Sequence, residues 1–452
     1  MHIHILGVCG TFMGGLAQIA KALGHDVTGS DQNMYPPMSN ELAKLNIDVM
    51  NGYEPEHLHS QPDLVLVGNT LSRGNPAIEY MLNQRLSFMS GPEWLFREVL
   101  QKRHVLAIAG THGKTTTTSI LSWILEFAGL NPSFLIGGVV ENFGKSASYT
   151  NSEYFVIEAD EYDTAFFDKR SKFLHYHPDT LVINNIEYDH ADIFHDLAAI
   201  RREFHNLVRI LPETAKIIYP IGDQEIKKVL KKGCWSASET FLGPDAEWSI
   251  IDASCDYQDF SIINNGKIVG KASWPAIGEH NASNALAAII AAKNVGVSVE
   301  KACQALSEFK SVKRRLECIF DSNDICVYDD FAHHPTAIRK SLQAIKSHAT
   351  NGRVVAIMEP RSNTMRMGVH AETLSAAFTD ADRIFLYQPK DLKWNISDHM
   401  NELGNRCQVF ENVDKIAELV SKEAQPHDNI VIMSNGAFGG IYQKLIERLN
   451  KL

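Results

Sequence analysis

The sequence predicts an α/β protein made of three domains. Apolar segments of strand length alternate with helix-length segments along the whole chain, and two glycine-rich turns fall where a strand ends and a helix begins. With 452 residues, of which 44% are hydrophobic, the chain is long enough for several separate cores. We expect the domains to span residues 1–103, 104–312 and 313–452.

Each domain contains its own set of predicted strands. The first has HIHILGV, HDVTGSD and PDLVLVGN, and the second has HVLAIAG, YFVIEADE, TLVINNIEYDH and KIIYPIGD. A stretch near residues 243–275, interrupted by Gly, Asp and Asn, predicts antiparallel strands that close the second domain. The third domain has ICVYDDFA, RVVAIMEP, DRIFLYQP and NIVIMSNG.

Composition excludes several classes of protein. A net charge of -11 argues against a nucleic-acid-binding surface, although a locally basic pocket could still bind an anionic ligand. The seven cysteines are scattered without a C-x-x-C pair, which argues against a disulfide framework and a zinc knuckle. No apolar run reaches the ~18 residues of a membrane span, so we expect a cytoplasmic protein.

Residues 108–119, IAGTHGKTTTTS, are typical of a phosphate-binding loop. Gly113, Lys114 and Thr115 match the end of the G-x-x-x-x-G-K-(S/T) pattern, but Ile108 occupies the first glycine position and the turn glycine is Gly110. A buried strand precedes the loop and an amphipathic helix follows it, so backbone N–H groups should point at a bound anion. The alternative is a chance match in a surface turn.

The first strand is followed by a second turn of this type, GVCGTFMGGLA, and the next strand ends at Ser30 and Asp31. This resembles a dinucleotide-binding fingerprint with its acidic residue. However, Cys9 and Phe12 stand where G-x-G-x-x-G needs glycines, which argues against nicotinamide cofactors and hence a dehydrogenase. A different nucleotide diphosphate could bind near Gly10; alternatively, the turn binds nothing.

Acidic residues and a histidine follow two further predicted strands. One strand ends on Glu158 and is followed by Asp160 and Glu161, and Asp189 and His190 follow the next strand. Because the carboxyl ends of parallel strands meet at one edge of a sheet, these groups are placed to hold Mg²⁺ beside the phosphate loop. The alternatives are a solvated acidic turn and a structural histidine.

Three later motifs have both structural and functional interpretations. Asn281 and Asn284 in GEHNASNALAAI either cap a helix or contact a ligand. Arg315 in KSVKRRLE belongs to a solvated linker or reaches a transferring phosphoryl group when the domains close. His333 and His334 in YDDFAHHPT are adjacent, which argues against a zinc pair because they lack the i, i+4 spacing of one helical face.

Together these motifs resemble the Mur ligase family, ATP-dependent enzymes that join amino acids or peptides to UDP-N-acetylmuramate. The resemblance covers the whole chain and rests on GTHGKTT, EADE, NIEYDHAD, GEHNASNALAA and DDFAHHPT. The ATP loop of the family is the shorter G-T-x-G-K-(S/T) form, which explains the missing glycine. The resemblance implies a Rossmann-like N-terminal domain, a central P-loop ATPase-like domain with a mainly parallel sheet, and a Rossmann-like C-terminal domain.

The resemblance also implies ATP and Mg²⁺ as cofactors. It places Lys114 on the phosphates, Thr115 and Glu158 on one Mg²⁺, His190 on a second Mg²⁺, and Arg315 at the γ-phosphate. The implied ATP-binding residues are Gly110, Thr111, His112, Gly113, Lys114, Thr115, Thr116, His280, Asn281, Asn284, Arg315 and Asp330.

The other two domains are implied to bind the remaining substrates. The implied UDP-sugar-binding residues are Gly10, Thr11, Phe12, Met13, Ser30, Asp31, Asn69 and Asn142. The implied peptide-binding residues are His333, Arg361 and Arg366. In the implied reaction, the lactyl carboxylate of UDP-N-acetylmuramate takes the γ-phosphoryl group of ATP, and an amine then displaces phosphate to form an amide.

Four stretches favour one substrate within the family: HILGVCGTFMGGLA, GSDQNMYPPMS, EPRSNTMRMG and MSNGAFGGI. They favour members that attach the murein tripeptide L-alanyl-γ-D-glutamyl-meso-diaminopimelate in one step, in peptidoglycan recycling. The alternative is attachment of L-alanine, but members that do so typically have P-H-R-Y-T-R where this chain has residues 360–364 as PRSNT. This mismatch leaves the roles of Arg361 and Arg366 open.

Some family members hold the second metal with a carbamylated lysine downstream of the Asp-His motif. This chain has no lysine between Ala191 and Ala215, so we expect activity without carbon dioxide. A nucleotide switch or motor protein would use the same phosphate loop but would not need three α/β domains with a second nucleotide-like site.

Overall fold

The computed structural model describes residues 1–34, 38–349 and 352–451. It confirms the predicted class, since three sheets flanked by helices follow one another along the chain. Residues 35–37 of the segment GSDQNMYPPMS lie outside the described residues. Among the described residues, no helix is both long and apolar enough to cross a membrane.

The N-terminal domain has a parallel five-stranded sheet in the order β3-β2-β1-β4-β5. Its strands are β1 His2–Leu6, β2 Asp26–Asp31, β3 Asp48–Asn51, β4 Leu64–Val67 and β5 Phe88–Ser90. Its helices are α1 Thr11–Ala22, α2 Met38–Lys44, α3 Pro76–Asn83 and α4 Gly91–Glu98. Asn75 and Ser90 cap α3 and α4 with their side-chain oxygens, which explains where those helices begin.

The central domain has a ten-stranded sheet in the order β17-β16-β15-β14-β13-β12-β6-β9-β7-β8, and β10 and β11 form a separate antiparallel hairpin. Its strands are β6 His104–Ala109, β7 Ser133–Val140, β8 Lys145–Ser148, β9 Tyr154–Ala159, β10 Asp163–Ala165, β11 Asp168–Ser171, β12 Thr180–Ile183, β13 Lys216–Pro220, β14 Ala237–Phe241, β15 Trp248–Ile251, β16 Asp259–Asn264 and β17 Lys267–Ser273. Its helices are α5 Lys114–Phe127, α6 Leu197–Arg209, α7 Gln224–Lys231, α8 Glu279–Lys293 and α9 Val299–Ser307. The last three strands form antiparallel pairs, as expected for residues 243–275.

The C-terminal domain has a six-stranded sheet in the order β18-β19-β23-β20-β21-β22, in which only β18 is antiparallel. Its strands are β18 Glu317–Ser322, β19 Ile325–Asp330, β20 Val354–Met358, β21 Arg383–Tyr387, β22 Cys407–Phe410 and β23 Asn429–Met433. Its helices are α10 Pro335–His348, α11 Asn363–Arg366, α12 Ala371–Leu374, α13 Val413–Glu423 and α14 Ile441–Leu449. The segment EPRSNTMRMG, expected as a loop, contains the short helix α11, because the Ser362 hydroxyl accepts a hydrogen bond from the Met365 N–H and begins a helical turn.

The N-terminal and central domains pack closely through α1. A Cβ atom on Gly15 of α1 would lie 2.2 Å from Leu135 Cδ1 of β7, so any side chain here would displace Leu135 or move the helix away from the central sheet. Leu16, Ala17 and Leu135 belong to one continuous apolar cluster. The first turn of α1 is therefore held against the central domain.

In the central sheet, β6 lies between β12 and β9, and all three strands run parallel. Ile108 pairs with Glu158, and Ile183 pairs with Ala109, so the three carboxyl ends lie at the same edge. The phosphate loop, the acidic run and the Asp-His motif all leave the sheet at this edge. The topology thus assembles the residues that the sequence places far apart.

Candidate active site

The phosphate loop joins β6 to α5 and depends on two glycines with left-handed backbone. Gly110 has φ 135° and Gly113 has φ 80°, and a Cβ on Gly113 would lie 2.5 Å from Asn284 Oδ1. Asn185 fixes the loop, because its Oδ1 accepts from the His112 N–H at 2.8 Å and its Nδ2 donates to the His112 carbonyl at 3.1 Å. Gly113 provides no side-chain cap, so the first N–H groups of α5 are available to an anion.

Lys114 begins α5 and is the buried cation of the site. Its Nζ donates to Glu161 Oε2 at 2.8 Å and lies 3.7 Å from Asp160 Oδ1, and its side chain is only 10% exposed. Burial alone would lower the pKa of Lys114, but the carboxylates of Glu161 and Asp160 raise it. Lys114 is therefore a permanent positive charge at the loop.

Thr115 connects the loop to a third carboxylate and to the C-terminal linker. Its hydroxyl donates to Glu158 Oε1 at 3.0 Å and accepts from Arg315 Nη2 at 3.1 Å. Glu158 Oε2 accepts from the Gly137 N–H at 2.7 Å. The linker arginine that the sequence placed at a domain join thus reaches the phosphate loop in this structure.

Asp160, Glu161 and His190 form a group that fits a cation. Their ligating atoms all lie within 4.8 Å of one another, and His190 Nε2 is 3.4 Å from Glu161 Oε1. Glu161 Oε1 is buried, and no hydrogen bond reaches it from the described residues. Burial would raise the pKa of Glu161, but Lys114 lowers it, so this oxygen remains an anionic ligand. Oxygen donors of this kind suit Mg²⁺.

The carboxylates near the phosphate loop have different partners: Glu158 contacts Thr115, whereas Asp160 and Glu161 lie next to Lys114. The sequence paired Glu158 with Thr115, and the structure places these two side chains in contact. The resemblance also placed His190 at a metal. In the structure, His190 lies next to Asp160 and Glu161, to which the sequence analysis assigned no individual role. The acidic run after β9 was the available signal, but it did not show which carboxylate meets which partner.

Asp189 joins the central domain to the C-terminal domain. Its Oδ1 accepts from Thr364 Oγ1 of α11 at 2.7 Å, and Thr364 Oγ1 in turn accepts from the Ala191 N–H at 3.2 Å. Burial would raise the pKa of Asp189, but His190 and His333 lower it. His333 Nε2 lies 4.0 Å from Asp189 Oδ2, so the predicted peptide-binding histidine faces this contact. Thr364 was not among the predicted site residues.

The predicted adenosine-site residues lie at the start of α8 and the end of β19. Asn281 donates to the Ile277 carbonyl at 2.8 Å, and Asn284 Oδ1 faces Asn184 Nδ2 at 3.5 Å, so neither asparagine caps α8. Burial, with Lys340 and Arg315 nearby, lowers the pKa of His280 to about 3.

The carboxylate of Asp330 accepts a hydrogen bond from the Ser341 hydroxyl, and burial raises its pKa. The Thr111 hydroxyl accepts a hydrogen bond from the Glu187 N–H at 2.8 Å. Thr116 is half-buried in the first turn of α5. Asn184, which donates to Thr117 Oγ1 at 2.9 Å, was missed by the sequence.

The N-terminal turn is arranged around Asp31. Asp31 Oδ2 accepts from the Cys9 N–H at 2.8 Å, and Gly10 precedes the first turn of α1, which contains Thr11, Phe12 and Met13. Met13 is buried. The Ser30 hydroxyl is also buried, where it bonds to ring nitrogens of His4 and His57 at 2.9 Å each. The predicted roles of Ser30 and Met13 therefore cannot use a solvent-facing side chain.

Lys172 connects this turn to the acidic cluster and was not predicted. Its Nζ donates to Asp160 Oδ2 at 3.1 Å and lies 5.4 Å from the centre of the Phe12 ring. Only 11% of its side chain is exposed. A buried cation thus lies between the predicted sugar-nucleotide turn and the predicted metal ligands.

Two predicted sugar-site asparagines have different surroundings. Asn69 is half-buried after β4, whose carboxyl end pairs with that of β1 beside the N-terminal turn. Asn142 instead holds the linker, since its Nδ2 donates to the Glu308 carbonyl at 2.9 Å and its Oδ1 accepts from the Lys310 N–H at 2.8 Å. The amide group of Asn142 is therefore bonded to the linker, and its role at the sugar stays a prediction.

The two predicted peptide-binding arginines also differ. Arg366 forms an ion pair with Asp391 at the surface. Arg361 is exposed and lies so close to Gly436 that a Cβ there would be 2.3 Å from Arg361 Cδ. Neither arginine contacts the phosphate loop through a hydrogen bond among the described residues.

Family models match all three domains of the chain. The model described as "Mur ligase family, catalytic domain" matches residues 2–103, "Mur ligase middle domain" matches residues 108–292, and "Mur ligase, glutamate ligase domain" matches residues 314–436. The chain belongs to the Mur ligase family.

Characterised Mur ligases show how far the similarity extends. The UDP-N-acetylmuramate–L-alanyl-γ-D-glutamyl-meso-2,6-diaminoheptandioate ligase of Haemophilus influenzae is 50% identical over 99% of both chains. A UDP-N-acetylmuramate–L-alanine ligase of Caldicellulosiruptor bescii is 32% identical over 95% of both chains. The crystal structure of a murein peptide ligase from Psychrobacter arcticus is 46% identical, covers 100% of this chain and 99% of its own, and superposes with a TM-score of 0.77.

Proposed function

We propose that this chain is an ATP-dependent ligase that joins the tripeptide L-alanyl-γ-D-glutamyl-meso-diaminopimelate to UDP-N-acetylmuramate in peptidoglycan recycling. The observation that carries the proposal is Lys114, a buried cation on a phosphate loop, surrounded by Glu161, Asp160 and Glu158 and approached by Arg315. Such an arrangement neutralises the charge that develops when a phosphoryl group moves between two anions.

Each domain supplies one part of this reaction. The central loop holds ATP, with Lys114 on the outer phosphates, Arg315 at the γ-phosphate, and His280, Asn281, Asn284 and Asp330 around the nucleoside. The N-terminal turn holds the sugar nucleotide, and Lys172 next to Phe12 attracts its anionic groups towards the phosphate loop. The C-terminal domain closes the site through Thr364 on Asp189 and receives the peptide near His333 and Arg361.

The residues also fit Mg²⁺. Glu158 with Thr115 would hold one ion, and Asp160, Glu161 and His190 would hold another, because their ligating atoms converge and Glu161 Oε1 accepts no hydrogen bond from the described residues. Bound Mg²⁺ supplies charge neutralisation at the phosphates. Use of ATP and a sugar nucleotide also supports a cytoplasmic location.

Within the chain, these groups permit two steps. The lactyl carboxylate attacks the γ-phosphorus, the bond to the bridging oxygen of ADP breaks, and an acyl phosphate forms. The neutral amine of the tripeptide then attacks the acyl carbon, a proton leaves the nitrogen, and phosphate departs. Lys114 and Arg315 stabilise the negative charge that crowds between the two reactants.

The choice of the tripeptide over L-alanine rests on relatives and on the C-terminal domain. The 50% identical relative is named for the tripeptide, whereas the alanine ligase is 32% identical. A tripeptide brings carboxylates and a distal ammonium that can use Arg361, Ser362 and Asn363 on the segment after β20, whereas L-alanine would use few of them.

Measurement of ADP release tests the proposal. Purified enzyme should release ADP when ATP, Mg²⁺, UDP-N-acetylmuramate and the tripeptide are all present, and mass spectrometry should find the amide product. Replacing UDP-N-acetylmuramate by UDP-N-acetylglucosamine, which lacks the lactyl carboxylate, is the matched control and should give no ADP. Equal ADP release with both sugars would reject the proposed carboxylate activation.

A further inference from the structure

A second group of ligating side chains lies where the C-terminal domain meets the phosphate loop. It consists of His112 from the loop, Glu187 from the segment after β12, and His334, which precedes α10. Glu187 Oε2 is 3.6 Å from His112 Nε2 and also 3.6 Å from His334 Nδ1. The proposed reaction uses none of these three side chains as a metal ligand.

The distances match a tetrahedral ion of the zinc type. Ligands about 2.1 Å from such an ion are separated from one another by about 3.4 Å, close to the two measured separations. All three ligating atoms lie within 4.8 Å of one another. His112 Nε2 is buried and has no hydrogen-bond partner among the described residues, so its lone pair or proton is unused.

Neighbouring groups already orient two of the ligands. His334 Nε2 donates to the Tyr188 carbonyl at 3.3 Å, which leaves Nδ1 without a proton and 3.6 Å from Glu187 Oε2. The Thr336 hydroxyl donates to Glu187 Oε2 at 2.6 Å. A histidine whose second nitrogen donates to a backbone carbonyl, and a carboxylate held by a hydroxyl, are the usual outer contacts of metal ligands.

Metal binding would replace one hydrogen bond of His334 by a bond to the ion. The Thr336 N–H donates to His334 Nδ1 at 3.2 Å, as the side-chain cap of α10. An ion on Nδ1 would take this lone pair and leave a first-turn N–H of α10 without its cap. The loss is about 1 kcal/mol for a cap, small compared with the bonds to a transition metal ion.

We propose that His112, Glu187 and His334 bind a divalent transition metal ion such as Zn²⁺ between the two domains. Two imidazoles and one carboxylate favour zinc-type ions over Mg²⁺, which prefers oxygen ligands. Because His334 belongs to the C-terminal domain and the other two ligands to the central domain, the complete site exists only when the domains are in contact. The ion therefore links the two domains and stabilises their closed arrangement.

The sequence argued against zinc here because His333 and His334 are adjacent. The structure shows that only His334 joins this group, while His333 faces Asp189. Its partners come from positions 112 and 187, each more than a hundred residues before His334 along the chain. No local spacing rule could have found them.

Metal titration of the full chain tests whether this interdomain site binds a metal ion. Untagged protein stripped of metal is titrated with Zn²⁺ and with Co²⁺, in a His190→Ala background that removes the nitrogen ligand of the other group. We expect one tightly bound ion per chain, and a Co²⁺ spectrum without thiolate charge-transfer bands, which excludes the exposed Cys255 and Cys318 as ligands. Absence of a tight ion, or a thiolate spectrum, would overturn the proposal.

Ligand variants in the same background locate the ion. Glu187→Gln and His334→Ala should each weaken Zn²⁺ binding by at least ~100-fold, since even indirect contacts change metal affinity by 10–100-fold. The matched control is His399→Ala, which removes the histidine of a separate His–Glu pair, 3.3 Å from Glu372, and should leave affinity unchanged. If His334→Ala fails to fold, Glu187→Gln decides alone. Unchanged affinity in Glu187→Gln would contradict the assignment.

Discussion

The two strand-to-helix turns of this chain share a scaffold and differ in charge. The turn between β1 and α1 is built from backbone N–H groups, apolar side chains and Asp31, whose carboxylate accepts from the Cys9 N–H. The turn between β6 and α5 carries Lys114 in direct contact with Glu161 and is approached by Arg315. Both turns can hold phosphate groups, but only the second has fixed charges placed to stabilise a moving phosphoryl group.

This difference separates binding from chemistry. Backbone dipoles suffice to hold a nucleotide diphosphate, and they need no buried ions. Phosphoryl transfer between two anions needs a buried cation, and that cation must be balanced by buried carboxylates in the absence of substrate. The central turn therefore couples catalysis to stability, whereas the N-terminal turn does not.

Lys114→Ala should break this comparison most strongly. We expect turnover to fall by at least ~10²-fold, the scale of losing one electrostatic stabiliser. Lys114 begins α5, and its removal leaves the buried Glu161 without its lysine partner, which costs about 3–5 kcal/mol of unfolding free energy. Chemical denaturation and ADP release measure the two effects.

The double variant Lys114→Met with Glu161→Gln separates them. Removing both charges should recover most of the lost stability but none of the turnover. If the single Lys114→Ala variant is as stable as the unaltered protein and turns over normally, the special role of the central turn is wrong.

The acceptor preference sharpens the comparison, because neither turn can distinguish two substrates that present the same amine. We predict that the tripeptide is preferred over L-alanine by at least ~10²-fold in kcat/KM, or about 2.7 kcal/mol of transition-state binding. Arg366→Ala should reduce that preference more than it slows any alanine reaction. Arg383→Ala, which removes a half-buried arginine paired with Glu423 in the same domain, is the control. Equal kcat/KM for both acceptors would favour the alanine-adding alternative.

Stability should also depend on pH through His4, a buried histidine in the strand before the N-terminal turn. Burial, with His2 and His57 nearby, lowers the pKa of His4 to about 4, and His4 bonds to Thr28 Oγ1 at 2.8 Å and to Ser30 Oγ at 2.9 Å. The folded state thus prefers neutral His4, so its contribution to stability is complete above about pH 6.5 and is lost as the pH falls towards 4. At about pH 5 the unfolding free energy should be about 2 kcal/mol lower than at pH 8 from this group.

His4→Gln removes the titrating group and keeps hydrogen-bonding capacity. The difference in unfolding free energy between the unaltered protein and this variant should therefore shrink as the pH falls from about 6.5 to 4. A difference that stays constant over this range would show that His4 does not titrate in a buried neutral network.

Adding bicarbonate should leave the activity of the enzyme unchanged, the smallest of the expected effects. Between Ala191 and Ala215 no lysine is present, and Lys172, which contacts the acidic cluster alongside Lys114, is an ion-pair partner of Asp160. A carbamate on Lys172 would place a second negative charge beside Asp160. Enzyme prepared free of carbon dioxide should thus keep full activity, and rescue by bicarbonate would identify Lys172 as the residue to replace.

The sequence predicted the fold where local patterns carry it. Apolar runs predicted β6, β9, β12, β19, β20 and β23, and the Gly113–Lys114–Thr115 match located the phosphate loop. The β10–β11 hairpin was missed, because Asp163–Ala165 and Asp168–Ser171 are short and rich in charged residues. Lys172 directly follows that hairpin. Because the hairpin was not predicted, Lys172 was not predicted as a residue of the candidate site.

Other site contacts could not be predicted because they join distant parts of the chain. Lys114 with Glu161, Asp189 with Thr364, and Arg315 with Thr115 each depend on how strands and domains are arranged. The acidic run after β9 showed that carboxylates would gather, but only the geometry shows that Glu161 pairs with Lys114 while Glu158 meets Thr115. The sequence predicted which kinds of residue form the site, but it did not predict which residues contact one another.

Oxygen transfer during turnover tests the central claim most directly. UDP-N-acetylmuramate labelled with ¹⁸O in both oxygens of its lactyl carboxylate is incubated with ATP, Mg²⁺, the tripeptide and the enzyme, and the released phosphate is analysed by mass spectrometry. If the carboxylate is activated by phosphoryl transfer at the central turn, each phosphate carries one ¹⁸O atom. Phosphate without label, formed alongside the amide product, would contradict the account.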